Sequence, residues 1–548
     1  MLRLTEVKLP LDHPPEALRE AALERLGLPP GDLLDLQVFR RGYDARRRSA
    51  IHLVYTLDVA VRDEPAALAR HAAHPHVSAA PDTAYRLVAR APEGAARRPV
   101  VIGAGPCGLL AALVLAQMGF RPIILERGKV VRERTKDTWG LWRRGELDPE
   151  SNVQFGEGGA GTFSDGKLWS GIGDNANRIR KVLEEFVAAG APEEILYVSK
   201  PHIGTFRLVT MVEHMRRTIE ALGGEYRFGT RVTDLEIATA PDGTRRMRGL
   251  HLDGGGFLEA DHVVLAVGHS SRDTFATLLE RGVHLDAKPF SVGFRIEHPQ
   301  GMIDRCRFGD FAGNSTLGAA DYKLAHHCKG PGLAGRTVYS FCMCPGGTVV
   351  AATSEPGRVV TNGMSQYSRA ERNANAAIVV TVTPADYPGG VLAGIDFQRR
   401  LEEGAFHAGG GGYRAPAQTV GDFLAGRPSA TLGEVVPSYK PGVTPTDLAP
   451  LLPDYAVAAI REALPAFDRQ LRGYARPDAV LTGVETRTSS PIRVTRGGDG
   501  HSLNTRGLFP AGEGAGYAGG ILSAGVDGIK TAEAVARSLL DGEAARAA

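Results

Sequence analysis

This sequence has few cysteines, almost no net charge and no signal-peptide pattern. Each of these features argues against a class of protein. The five cysteines are few and odd in number for 548 residues, which argues against a disulfide framework and favours a reducing cytoplasm. The net charge of +2 gives no bulk field that would select nucleic acid or a membrane surface. The N-terminus has no apolar core of signal-peptide length. We therefore expect a cytoplasmic globular protein.

The uncharged run over residues 100–120 has the length of a membrane span, but its pattern favours another structure. Four glycines and a proline interrupt it, and a strand that ends in an acid follows it. Glycine is plentiful, with 68 residues that cluster in short loops rather than in a linker. Such loops are typical of ligand sites lined by backbone atoms. We expect no membrane span.

Residues 99–128 predict a strand, a glycine turn, a helix and a second strand. Gly103, Gly105 and Gly108 have the G-x-G-x-x-G spacing. In this pattern the first glycine allows a tight turn, the second lets the backbone approach a pyrophosphate, and the third lets the helix pack closely on the strand. The sequence therefore predicts a dinucleotide-binding βαβ unit.

Both ends of this unit carry groups suited to an adenosine diphosphate. The helix begins at Pro106 and Cys107, so its free backbone amides would face the phosphates. Glu126 ends the second strand, where its carboxylate can accept hydrogen bonds from both hydroxyls of an adenosine ribose. A 2'-phosphate would be repelled there.

A second match to the glycine spacing lies at residues 156–161, but no apolar helix follows it, so we do not interpret it as another dinucleotide unit. Its amides, hydroxyls and one cation suit a planar, electron-rich group; the alternative is a cluster of surface turns. The loop residues that we expect at a ligand are Gly158, Gly159, Ala160, Gly161, Thr162, Ser164 and Lys167.

A third match lies near the end of the chain, where too few residues remain for another βαβ unit. We interpret residues 508–510 as the closing strand of the first sheet, followed by Gly512 and Glu513. Glu513 would lie over the ribityl chain or pyrophosphate of a flavin. The helix that begins at Gly520 and Ile521 would point at the N1 and O2 edge of the ring.

The first fingerprint, a glycine turn at Gly268 and this closing segment together form a three-point clasp typical of FAD enzymes of the glutathione-reductase-like class. The sequence also resembles a bacterial and plastid family usually called uncharacterised FAD-dependent dehydrogenases, over nearly its whole length. The stretches that carry the resemblance are residues 151–168, 200–205, 268–273, 341–347, 362–365, 485–491 and 512–528.

The resemblance implies further contacts to FAD. Arg127 would flank the adenine, Val232 would touch it through its backbone, and the loop from Gly158 to Lys167 would lie beside the isoalloxazine ring. It also implies an α/β fold in which an FAD-binding Rossmann-like (βαβ, three-layer) domain is interrupted by an α+β cap. The expected domains are a small α+β, ferredoxin-like domain with a linker (1–94), the FAD domain (95–287), the cap (288–477) and the C-terminal part of the FAD domain (478–548).

The expected activity is that of an FAD-dependent oxidoreductase acting on a small molecule or a redox protein. No second nucleotide domain is visible in the sequence, so NAD(P)H, if it is the reductant, would dock transiently on the cap. A protein electron carrier is an equally open alternative. No acid or base can be identified; Lys167, His269 and Cys342 are the catalytic candidates. The alternative is an RNA- or protein-binding adaptor with structural FAD, in which the basic run Arg40 to Arg48 does the binding.

The cap contains a distinctive stretch, residues 339–350, that predicts two strands joined by a Pro-Gly-Gly turn. Cys342 and Cys344 are two apart on a strand and therefore point to the same face. A zinc site would need a second ligand pair, for which only the residues 326–328 (His-His-Cys) are available. We expect no metal.

Overall fold

A computed structural model describes residues 1–94 and 97–547. The N-terminal part forms an antiparallel sheet with strand order β2-β3-β1-β4. Along β3, buried and half-buried residues alternate because one face packs on the two helices. The elements are β1 (Leu2–Pro10), α1 (Ala17–Leu26), β2 (Leu33–Asp44), β3 (His52–Val61), α2 (Glu64–Arg70) and β4 (Val77–Ala79).

The next part of the chain alternates short strands with helices. Its elements are β5 (Val100–Ile102), α3 (Pro106–Gln117), β6 (Ile123–Leu125), α4 (Val131–Arg144), α5 (Arg178–Ala188), α6 (Thr205–Ala221), β7 (Glu225–Arg227), β8 (Val232–Thr239), β9 (Arg245–Leu252), β10 (Phe257–Glu259), β11 (Val263–Leu265) and α7 (Arg272–Glu280).

The rest of the chain is richer in strands and ends in a long helix. Its elements are β12 (Leu285–Ala287), β13 (Phe290–Pro299), α8 (Gln300–Phe308), β14 (Ala325–His327), β15 (Thr337–Cys344), β16 (Gly347–Ala351), β17 (Thr361–Ser365), β18 (Asn373–Val382), α9 (Ala393–Ala408), β19 (Ala415–Thr419), α10 (Val420–Ala425), β20 (Val443–Pro445), α11 (Asp454–Gln470), β21 (Val480–Glu485), β22 (Ile492–Val494), β23 (Leu508–Pro510) and α12 (Ile521–Ala547).

A parallel sheet of strand order β23-β11-β5-β6-β7 positions the site. Four of its strands are apolar and buried on both faces, as parallel strands between two layers must be. Helices α3, α5, α6 and α12 cover one face, and the β8–β10 sheet with α7 covers the other. The segment 508–510 closes this sheet, as predicted from its sequence.

The edge strand β7 corrects one sequence interpretation. The sequence of residues 225–228 predicts a strand of an excursion outside the central sheet, but β7 pairs in parallel with β6 in that sheet. Its three residues are only half-buried, so the apolar signal of a buried parallel strand is missing.

A seven-stranded sheet of order β14-β15-β18-β13-β21-β19-β20 forms the core of the cap. It extends past the expected boundary at residue 477, because β21 lies between β13 and β19. A short strand that is buried along its whole length has the same sequence pattern in either domain, so its sequence does not show which sheet it joins.

The expected hairpin at residues 339–350 is wrong. β15 pairs with β14 and β18, whereas β16 pairs with β17 in a separate two-stranded sheet. The turn between them carries the chain from one sheet to the other. Gly346 is required there, since its φ is +41° and a Cβ would collide with the carbonyl oxygen of Arg369.

Within the described residues, no helix is both long enough and apolar enough to cross a membrane. The uncharged run over residues 100–120 is divided among β5, the glycine turn and α3.

Candidate functional site

A cavity of about 400 Å³ lies at the carboxyl ends of β5, β6, β11 and β23. Ligands of open α/β sheets bind at this edge. The residues singled out from the sequence that line it are Gly103, Gly105, Pro106, Cys107, Glu126, Arg127, Gly159, Ala160, Gly161, Ser164, Lys167, Val232, Gly268, His269, Cys342, Gly512, Glu513, Gly520 and Ile521.

The glycine turn before α3 leaves space on the cavity side only. A Cβ on Gly103 would collide with the carbonyl oxygen of Ala266, and one on Gly108 would collide with that of Gly103. A Cβ on Gly105 would meet nothing closer than the Cα of Gly159, at 3.7 Å. Gly105 therefore leaves room for a ligand at the N-terminus of α3, where backbone amides favour an anion.

Glu126 has a structural role that its position in the fingerprint did not indicate. Its carboxylate accepts hydrogen bonds from the backbone N–H groups of Ala104, Gly128 and Gly156, at 2.8, 2.9 and 2.9 Å. The side chain is buried, yet it still lines the cavity. Glu126 thus joins the first glycine turn to the second glycine loop.

Arg127 is held in one orientation at the cavity wall. Its guanidinium lies 4.1 Å from the centre of the Phe155 ring and pairs with Glu150 at 2.7 Å and Asp273 at 3.0 Å. A planar group bound beside it would meet a fixed cation rather than a mobile side chain.

The second glycine loop is only partly as predicted. Gly158 and Thr162 do not line the cavity: the Thr162 side chain is buried behind the loop, and both residues face Val212 of α6. The cause is the backbone, because left-handed φ values at Gly158 and Gly159 turn the chain before the single helical turn at Ala160–Phe163.

Lys167 and Cys342 meet at the cap side of the cavity. The Lys167 ammonium donates a hydrogen bond to the carbonyl oxygen of Met343 and lies 3.5 Å from the carboxylate of Asp165. Burial disfavours the ammonium charge, but Cys344, Cys342 and Asp165 outweigh it, so the pKa of Lys167 is raised. The sequence did not indicate Asp165, which also pairs with Arg369 at 2.5 Å.

His269 and Glu513 lie together at the start of α12, with 4.0 Å between Nδ1 and the carboxylate. Burial, with Arg487 and Arg272 nearby, lowers the pKa of His269 to about 3, so its ring is neutral. Its Nε2 is buried and has no hydrogen-bond partner among the described residues. Burial raises the pKa of Glu513 to about 7, although Lys288 opposes this shift.

Behind this end of the cavity lies an ionic cluster that the sequence reasoning missed. Glu402 of α9 pairs with Arg272 at 2.7 Å and with Arg487 at 3.1 Å, and all three side chains are buried. Both arginines lie in stretches that carry the family resemblance. The residues around Glu402 form an ordinary amphipathic helix, so no local signal marked it.

One further group of potential metal ligands lies away from the cavity. Ligand atoms of His326, Cys328 and Glu462 are within 4.8 Å of one another. The Glu462 carboxylate already accepts hydrogen bonds from the backbone N–H groups of Lys329 and Gly330. A metal ion would have to compete with those bonds.

The cavity fits the two ends of a flavin dinucleotide in two respects. Four glycines leave free space where another residue would place its Cβ atom: Gly105, Gly268, Gly519 and Gly520. His269, whose buried Nε2 has no hydrogen-bond partner among the described residues, also lines the cavity. With the parallel sheet, these features have the architecture of Rossmann-like nucleotide-binding proteins.

Comparison with known proteins places the chain in a family. It is 45% identical over 534 residues to an uncharacterized protein of Clostridium beijerinckii, covering 97% of this chain and 98% of that one, and it belongs to the same family. Residues 289–488 match the family described as FAD-dependent protein, C-terminal domain-like, and residues 1–60 match a domain of unknown function (DUF8436).

Similarities to solved structures are weaker. They include THI4 of Thermovibrio ammonificans (20% identity, 35% of this chain, 66% of that chain, TM-score 0.24) and CtdE in complex with FAD (12%, 82%, 89%, 0.29). A tetrameric 2-methyl-3-hydroxypyridine-5-carboxylic acid oxygenase is similar at 14% identity over 82% of this chain and 87% of that one, with a TM-score of 0.34. At these TM-scores we infer nothing about this chain from them.

Proposed function

We propose that the protein is an FAD-dependent oxidoreductase that binds FAD in the cavity and acts on a small molecule or a redox protein. The observation that carries the proposal is the opening at Gly105, between the N-terminus of α3 and the carboxyl end of the central sheet. The match of residues 289–488 to an FAD-dependent family supports it independently.

In this proposal each part of the cavity holds one part of the cofactor. Gly105 and the first amides of α3 would bind the diphosphate, Glu126 the adenosine ribose, and Arg127 with Val232 the adenine. The loop from Gly159 to Lys167 and the first turn of α12 would lie at the ring.

When bound, FAD supplies hydride or electron transfer at its ring system. Lys167 and the N-terminal amides of α12 bring positive charge to the cavity wall, which favours negative charge on a bound group. Glu513, with a pKa of about 7, exchanges a proton near neutral pH and accepts a hydrogen bond from the backbone N–H of Gly520. His269 stays neutral and can donate or accept one hydrogen bond at Nε2.

Cofactor binding is tested with the Gly105→Val variant. Because φ at Gly105 is −75°, valine fits the backbone, and its side chain would enter the space of the diphosphate. The purified chain should show a flavin absorption spectrum and release FAD on heating. The variant should lose flavin by about tenfold or more with an unchanged circular dichroism spectrum.

The matched control is Gly31→Val, at an exposed glycine with no atom near the added Cβ and no positive φ. It should keep its flavin. A full-length chain that carries no FAD and takes none up would overturn the proposal.

The electron donor is tested by anaerobic bleaching of the flavin with NADH and NADPH in separate cuvettes. Rapid bleaching by either supports a nicotinamide reductant that docks transiently. If only dithionite bleaches the flavin, a substrate or a carrier protein supplies the electrons, or the flavin is structural.

The adaptor alternative has less support, because residues of the basic run Arg40 to Arg48 make contacts within the molecule. The N–H of Arg41 donates to the carbonyl oxygen of Tyr197 at 2.6 Å, and the N–H of Ser199 donates to that of Arg41 at 2.8 Å. The Tyr43 ring packs edge-on against Phe308 of the cap, with 5.6 Å between ring centres.

A further inference from the structure

Cys342 and Cys344 lie where the cap sheet meets the second glycine loop. The pairing of β15 with β18 is irregular between Phe341 and Cys344, and Cys342 has a left-handed φ of +44°. A non-glycine residue in this region costs about 1–3 kcal/mol and persists at sites where the surroundings enforce it. The irregularity places Cys342 at the cavity wall and Cys344, fully buried, behind it.

The two thiols are close enough to interact. The Cys344 thiol donates a hydrogen bond to the carbonyl oxygen of Cys342 at 3.3 Å, and its side chain also interacts with the Cys342 thiol. In a regular strand, residues two apart are separated by about 6.6 Å, near the upper limit of about 6.8 Å for the Cα atoms of a disulfide. A bulge that bends the strand brings such a pair closer than this.

Two cations flank the pair. The Lys167 ammonium contacts the carbonyl oxygen of Met343, between the two cysteines. Nη2 of Arg295 donates to the carbonyl oxygen of Cys342 at 3.2 Å and lies 3.7 Å from Sγ of Cys344. Thiolates are stabilised by such neighbours.

The two cysteines therefore differ in their protonation. The hydrogen bond from Cys344, with Lys167 and Arg295, lowers the pKa of Cys342 to about 5 against the effect of burial. That same hydrogen bond, and burial, raise the pKa of Cys344 well above its usual value. At neutral pH one sulfur is a thiolate facing the cavity and the other is a thiol beside it.

We propose that Cys342 and Cys344 are a redox-active dithiol that closes reversibly to a disulfide and exchanges two electrons with a disulfide compound that enters the cavity. The proposal deepens the proposed function and rests on it in one respect: reduced FAD in the same cavity would be the electron donor that reopens the pair.

The thiol–disulfide exchange has two steps. The Cys342 thiolate attacks one sulfur of the disulfide compound, a mixed disulfide forms, and one thiolate leaves with the proton of Cys344. The Cys344 sulfur then attacks Sγ of Cys342, the intramolecular disulfide forms, and the second thiolate leaves. The compound is reduced by two electrons and the pair is oxidised by two. Reopening the pair consumes two electrons and one proton.

The test uses the purified full-length chain in glutathione buffers of increasing oxidation. After acid quenching, alkylation and trypsin cleavage, both cysteines lie in one peptide, residues 337–358, with no other cysteine. We expect this peptide to shift from a doubly alkylated form to an unalkylated form that is two hydrogens lighter, and dithiothreitol to reverse the shift. A peptide that stays doubly alkylated in oxidised glutathione overturns the proposal.

Alkylation kinetics of the reduced protein give a second readout. The rate at Cys342 should show an inflection near pH 5, whereas an ordinary thiol shows one near about pH 8.5. The groups that face Cys342 are Lys167, Asp165, Arg295, Glu485, Cys344 and Glu513. Lys167→Met should raise the inflection by about one pH unit. An inflection of the wild type at an ordinary thiol value would contradict the proposal.

Two variants are compared with the wild type: one removes the second cysteine of the pair and the other is a control. Cys344→Ser should stop at the mixed disulfide of Cys342 with glutathione, and Cys306→Ser should close its 337–358 disulfide as the wild type does. The mass of the wild-type peptide decides the outcome even if Cys344→Ser fails to fold. Because this readout needs no flavin, a protein that carries no FAD and takes none up would refute the proposed function and leave the disulfide result standing.

Discussion

Glu485 and Arg295 face each other inside the cap sheet, and neither is fully satisfied by the other. Arg295 Nε lies 3.8 Å from Glu485 Oε2, and both side chains are almost completely buried. Burial raises the pKa of Glu485 to about 8 despite the nearby guanidinium. The carboxyl therefore keeps its proton at neutral pH, unlike the same group in the unfolded chain.

This difference predicts how Glu485→Gln changes the pH dependence of stability. Between about pH 4.5 and pH 8 the folded wild type binds more protons than the unfolded chain, so its free energy of unfolding falls as pH rises. Glutamine cannot ionise and removes this loss. Relative to the wild type, the variant should gain about 1–4 kcal/mol between pH 5 and pH 9.

Urea denaturation at several pH values measures this gain. Glu146→Gln is the control, because Glu146 is exposed and its pair with Arg144 is solvated. A difference between Glu485→Gln and the wild type that does not change with pH would show that Glu485 ionises normally.

Helix α9 is one of the elements that join the cap to the nucleotide-binding part. Through Glu402 it contacts Arg272 at the start of α7 and Arg487 just after β21. Thr486 adds a hydrogen bond from its hydroxyl at 2.8 Å. The two arginines outweigh burial and lower the pKa of Glu402, so it stays ionised and its stabilising contribution is lost only in acid.

Replacing Glu402 by alanine leaves two buried guanidinium groups without their carboxylate. We expect Glu402→Ala to lower the free energy of unfolding by about 3–5 kcal/mol at pH 7. Glu403→Ala, on the exposed face of the same helix turn, should change it by less than about 0.5 kcal/mol. Equal effects of the two variants would show that helix propensity, rather than the ionic cluster, determines the result.

At the scale of the whole molecule, the expected linker behaves as part of the nucleotide-binding domain. The Tyr85 hydroxyl donates to Glu533 of α12 at 3.1 Å, and the N–H of Ala91 donates to the carbonyl oxygen of Met118 at 2.7 Å. The N-terminal sheet ends earlier, at Ala79.

Two truncations test where the boundary lies. A chain that lacks residues 1–80 keeps the contacts of Tyr85 and Ala91, whereas one that lacks residues 1–94 loses them. We expect the longer deletion to be less stable by about 1–3 kcal/mol, measured by chemical denaturation, because buried Glu533 loses a hydrogen bond. A longer deletion as stable as the shorter one would support a boundary at residue 94.

The sequence by itself determined the features that depend on local backbone geometry. Gly103 and Gly108 collide, if given a Cβ, with carbonyl oxygens of their own βαβ unit or of the next strand of its sheet. Because only glycine avoids these collisions, the positions appear in the sequence as the spacing of the glycine fingerprint. The closing strand at residues 508–510 could be predicted for a similar reason, because a buried strand before a glycine turn is a local pattern.

Only the tertiary structure decided which distant segments meet. It turned Thr162 away from the cavity, joined Glu402 to two arginines, and brought the Lys167 ammonium to the carbonyl oxygen of Met343, beside the two cysteines. No local sequence pattern indicates such contacts, because they depend on how elements that are distant in sequence pack against each other. For that reason the cavity's glycines were predictable, whereas the charged and thiol groups on its walls were assembled only by folding.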